Sequence, residues 1–187
     1  MKYFRLNDNM RFQGRWALRS PVNEYGQEID PWQFMEGRLL AVQGVPRFPL
    51  ARSGCALDFT TTGLGVTVTT GKFVSLFKRL GLGEQVQFFP AQVEGQSEPC
   101  FILNVLRVIR CIDDARCEEV RYWQPEDGQP EKVGEYRVVS GMRIDPTTVG
   151  DAHIFRPWGW PVAIIVSEFL KQALEEEQVT GTRFTEV

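Results

Sequence analysis

The run Ala152–Gln178, AHIFRPWGWPVAIIVSEFLKQALEEEQ, constrains the fold more than any other stretch of the chain. It holds the only histidine and two of the five tryptophans. Val162, Ile165, Val166, Phe169, Leu170, Ala173 and Leu174 recur at the spacing of one helical face, which predicts an amphipathic helix over about 162–178. Pro161 suits its first turn, where a missing N–H costs nothing. Ala152 to Phe155 reads as a strand, and Arg156 to Pro161 as an irregular turn rich in Trp, Gly and Pro. Glu175, Glu176 and Glu177 oppose the helix dipole at the C-terminal end, so packing of the apolar face must hold this helix in place.

A second helix is expected over about 71–80. Phe73, Val74, Phe77 and Leu80 fall on one face, Thr70 offers a hydroxyl cap, and Gly81 closes the end. Almost everything else reads as β structure. Lys2 to Leu6, Trp16 to Leu18, Arg38 to Gln43, Val66 to Val68, Val86 to Val93 (broken at Pro90) and Phe101 to Val105 are strand candidates. Arg107 to Ile112, Val120 to Trp123 and Tyr136 to Met142 continue the series, separated by polar turns such as Pro125-Glu126-Asp127-Gly128. The expectation is an α+β fold: a mostly antiparallel meander with two helices packed on it. The length suits one domain, with an irregular part over 1–65 and a β-rich part over 66–187.

Charge is distributed unevenly. Residues 1–110 carry 13 basic and 9 acidic side chains, whereas residues 111–187 carry 8 and 15. The net charge of −3 excludes a strongly basic nucleic-acid binder by composition. Acidity concentrated in the last part would suit a basic partner instead. The longest apolar run, Val162 to Val166, is far short of a membrane span, and the opening MKYFRLNDNM lacks the apolar core of a signal peptide. These features lead us to expect a cytoplasmic protein that makes no membrane contact.

Catalytic chemistry finds little support. His153 is the only imidazole base available, and Ser53 and Ser167 lack the context of a nucleophile elbow. A pocket near His153, Trp158 and Trp160 is the one arrangement that would suit a small ligand or an enzyme. Cys55, Cys100, Cys111 and Cys117 form no CxxC pair, so neither a metal nor a cofactor is expected. The glycine-rich TTTGLGVTVTTGK departs from both phosphate-loop spacings, with Phe73 standing where a magnesium-binding hydroxyl should be. The densest polar feature is Asp113, Asp114, Glu118 and Glu119, followed by Tyr122, Trp123, Glu126 and Asp127. Acids that steer a basic partner beside aromatics that anchor it make these eight residues the candidate partner-binding surface.

MKYFRLNDNM…GRW, CALDF followed by GVTVTT, FILNVLRVIRCID, W-x-x-EDGQPEKVGEY and HIFRPWGWPVAIIVSEFLKQAL…TGTRF together resemble a bacterial family. It is the eleventh numbered family of polymorphic-toxin immunity proteins, typified by a myxobacterial member. The resemblance spans nearly the whole chain and implies a non-enzymatic cytoplasmic antidote that binds a cognate toxin, with nucleases common among such toxins. A module that dimerises through a sheet edge is a further option.

Overall fold

The computed structural model describes residues 1–187. Its strands are β1 (Tyr3–Asp8), β2 (Ala17–Leu18), β3 (Arg47–Phe48), β4 (Leu50–Arg52), β5 (Phe59–Thr61), β6 (Thr67–Thr70) and β7 (Val86–Val93). Beyond them come β8 (Cys100–Val105), β9 (Val108–Ile109), β10 (Glu119–Tyr122), β11 (Tyr136–Ser140), β12 (Ile154–Pro157), β13 (Ile164–Ser167) and β14 (Thr182–Glu186). Helix α1 covers Gly71–Arg79 and α2 covers Glu168–Glu176. The class is α+β, as expected. The sheet order is not a simple meander, however. One five-stranded sheet runs β14-β1-β13-β12-β9 and another β3-β7-β8-β6-β5, while β10-β11 and β2-β4 stand as separate pairs. Both large sheets are antiparallel except at one edge, where β9 lies parallel to β12 and β3 parallel to β7. In the first sheet, strands from opposite ends of the chain lie side by side.

The largest correction falls on the C-terminal run. Helix α2 begins at Glu168, not at 162, because Ile164–Ser167 is a central strand flanked by β1 and β12. All four of its residues are buried. A strand covered on both faces has no polar alternation to display, and a short apolar run of this kind has the same appearance as a buried helical turn. Ser167 is therefore the helix cap: its hydroxyl oxygen accepts the Leu170 N–H at 3.2 Å. The far end closes as a Schellman motif, with Gln178 N–H donating to the Glu175 carbonyl and Val179 N–H to that of Leu174. Two ion pairs, Glu177 with Arg79 and Glu175 with Lys171, offset the acidic end.

Alternation explains how three apolar clusters form on two sheets. Ile164, Val166 and Ile154 join Leu103, Val105 and both helices in the central cluster, with Phe73, Phe77, Leu170 and Leu174. Ala163, Ile165 and Phe155 point the other way into a cluster with Cys111, Met142 and Ile144. Ile102 and Cys100 turn from the second sheet toward Trp16, Phe34 and Phe48. Successive residues face opposite sides, so each central strand supplies two clusters.

Two strand expectations need revision. Arg38 to Gln43 joins no ladder, because side-chain amides take its backbone groups: Gln87 bonds both the N–H and the carbonyl of Leu40, and Asn104 donates to the Arg38 carbonyl. Pro90 does not break β7. The neighbouring β3 pairs only at Gln92 and Val93, which leaves the edge open where the proline lacks an N–H.

Asp58 fastens the N-terminus of α1 to the segment after α2. Its carboxylate accepts the Thr70 hydroxyl at 2.7 Å, and the N–H and hydroxyl of Thr180 at 2.9 Å each. Thr70 is thus occupied with Asp58 and does not cap α1 with its side chain, contrary to expectation. Burial pushes the Asp58 carboxyl upward, but the Thr180 and Thr70 bonds and the nearby Lys72 outweigh it and hold its pKa below the usual value. A folded pKa below the unfolded one contributes stability that is complete above the ordinary carboxylate range and lost as pH falls through the folded value. Asp58→Asn should cost roughly 1–2 kcal/mol near neutral pH, screening included. Urea midpoints of the two proteins should then converge as the solution is acidified below about pH 4. A gap that stays constant with pH would assign the effect to packing instead.

Candidate interaction surface

The eight candidate residues lie on one ribbon and its connecting turns. Strands β10 and β11 pair antiparallel, with Glu119 opposite Ser140 and Tyr122 opposite Tyr136. The turn before β10 carries Asp113, Asp114 and Glu118, and is tied to the chain beyond β11 by Asp113 N–H donating to the Arg143 carbonyl at 2.9 Å. The connection after β10 begins with Trp123 and continues into a one-turn 3-10 helix, Pro125–Asp127, that holds Glu126 and Asp127. This turn is sequence-encoded: the Asp127 carboxylate accepts the Gln124 N–H at 2.9 Å, Pro125 starts it and Gly128 leaves it at φ 71°.

Tyr122 and Asp114 come into direct contact. The hydroxyls of Tyr122 and Tyr136 both donate to the Asp114 carboxylate, the second at 2.8 Å. The two rings stack with centroids 4.8 Å apart. The bond to Asp114 pushes the Tyr122 hydroxyl pKa up, and burial followed by the bonds to Tyr122 and Asp114 does the same for Tyr136. Both hydroxyls are therefore protonated donors throughout the neutral range.

Trp123 is half-buried and held between cations, with Lys132 at 5.3 Å and Arg137 at 5.1 Å from its ring. Arg137 also pairs with Asp127. Asp113 and Glu119 pair with Arg116 and Arg121 at 3.8 and 2.6 Å. Half of the acidity read from the sequence is thus neutralised locally, leaving Asp114, Glu118 and Glu126 outside any ion pair. Tyr122 borders two shallow depressions: one of about 480 Å³ with Arg121, Glu126 and Asp127, and one of about 210 Å³ with Arg110, Cys111 and Trp158.

The residues considered for a small-ligand pocket do not converge. His153 bonds Ser167 through Nδ1 at 2.8 Å and packs on Phe169. Trp158 lies under the Arg110 guanidinium, 3.2 Å from its ring centre, and Trp160 packs against the cluster around Phe155. Ser167 is fully buried and already occupied as a helix cap, so His153 has no accessible nucleophile to activate.

The immunity protein family Imm11 matches the sequence from residue 1 to residue 187. The chain belongs to that family. A search among curated proteins gave no match. No helix of this Imm11 protein is long and apolar enough to cross a membrane. One further concave feature has no signature in the sequence. Arg5, Arg15, Arg52 and Arg156 line a cleft of about 530 Å³ between the two large sheets, and none of the hairpin residues borders it. These arginines are far apart along the chain, so no local motif could have grouped them.

Proposed function

We propose that this Imm11 protein is a cytoplasmic, non-enzymatic antidote that binds a cognate toxin domain and blocks it sterically and electrostatically. Family membership supports the immunity role. The observation that carries the choice of surface is Tyr122: an aromatic ring 37% exposed, stacked on Tyr136, bonded to Asp114 and bordering two depressions. A pre-ordered aromatic among unpaired carboxylates suits a basic groove such as that of a nuclease. We further infer that residues 1–187 act as one unit, since the central cluster draws on residues from Leu6 to Val179.

The test is complex formation with the toxin encoded beside this gene. Wild-type protein should form a one-to-one complex and abolish the toxin's activity. Reversing Asp113, Asp114, Glu118 and Glu119 to Lys should weaken it, most strongly at low salt, because screening removes long-range attraction. Failure to bind at micromolar concentration would overturn the antidote reading. Unchanged affinity of the reversed protein would move the contact off the ribbon.

A further inference from the structure

The basic cleft has more cation than the fold neutralises. Asp8 is its one carboxylate, and Asp8 already pairs with Arg15 at 2.6 Å while accepting the Thr61 N–H at 3.0 Å. Arg52 donates to the Arg15 carbonyl, and neither Arg5 nor Arg52 has an acidic partner. Arg156 is 1% exposed. It donates to the carbonyls of Pro161 and Phe34, and its Nε has no partner at all. Burial lowers the Arg156 pKa to about 10, so the group is still a cation at neutral pH. These carbonyls accept only two of its five N–H groups and supply no counter-charge, and an interior cation left in that state is costly.

The cleft wall adds a second feature. The turn between β5 and β6 contributes Thr62, Gly63 and Gly65 to the same cleft. This is part of the glycine-rich segment that fits no phosphate-loop spacing, and here it lies opposite arginines rather than ahead of a helix. Guanidinium forks beside a turn of small residues match the planar, bidentate geometry of oxyanions.

We propose that this cleft binds a compact oxyanion ligand, one bearing a phosphate or carboxylate group, with Arg52 and Arg156 as its ligands; Arg5 borders the cleft but sits at a strand position that faces the other cluster, opposite Ile165. The cleft's volume suits a small molecule. The site is independent of the ribbon, so it stands whether or not the ribbon meets a toxin.

The experiment follows arginine Nε–H resonances during titration with inorganic phosphate and, separately, with succinate, each at constant ionic strength set by chloride. The expected result is a saturable shift of the Arg156 signal, in the millimolar range or tighter. Arg52→Gln, at an exposed position outside the core, should weaken it by about fivefold or more, the loss of one charge-assisted contact, whereas Arg5→Gln should leave it unaltered. Tighter phosphate binding would assign a phosphate ligand, and equal or tighter succinate a carboxylate. A linear drift shared with chloride, or affinity unaltered in Arg52→Gln, would overturn the proposal.

Discussion

Replacing Leu170 by Ala should destabilise the protein by about 3–5 kcal/mol, among the largest effects expected of a single truncation in α2. Leu170 is fully buried in the central cluster, where both helices and both five-stranded sheets meet. Its backbone N–H donates to the Ser167 hydroxyl, a cap that the alanine variant keeps, so the loss reports the side chain. Little room exists for the site to collapse, because Ile164 and Val166 beneath it belong to a central strand held on two sides. The neighbouring Phe169 behaves differently. It is 45% exposed and packs at a tilt against His153, so Phe169→Ala should cost less than about 1 kcal/mol. The helical period from 162 would give both residues similar importance, so urea unfolding of the two variants separates the accounts. Equal losses would argue for the longer helix.

The second large effect concerns binding. Tyr122→Ala should weaken toxin binding by roughly 30-fold or more, about 2 kcal/mol, while leaving the unfolding midpoint almost unchanged. Anchors of this size are rigid before binding and lose little freedom on complex formation. Tyr122 meets that condition through the stack on Tyr136 and the bond to Asp114. Tyr122→Phe separates the two contributions: it keeps the ring and loses the donor to Asp114, so most of the affinity should survive.

The legible parts of this fold were those with a local cause. Helix α1 followed from Phe73, Val74 and Phe77 on one face and from Gly81 at φ 70° closing it. The α+β class followed from repeated short β segments. What sequence could not convey was set by distant neighbours. Ile164–Ser167 became a strand because β1 and β12 flank it, and only then did the helix start move to Glu168. Arg38 to Gln43 lost its ladder to the amides of Gln87 and Asn104. The acidic ribbon was legible as a group of residues, but its charge was not, since Arg116, Arg121 and Arg137 neutralise part of it. The arginine cleft was invisible, because Arg5, Arg15, Arg52 and Arg156 meet only once the sheets are formed.

The decisive measurement is a calorimetric titration of the proposed cognate toxin domain against wild-type and Tyr122→Ala protein, with unfolding midpoints recorded for both. The ribbon account expects one-to-one binding by the wild type and a loss of about 30-fold in the variant at unchanged stability. Identical affinities for the two proteins would contradict it and show that the toxin is held elsewhere on the molecule.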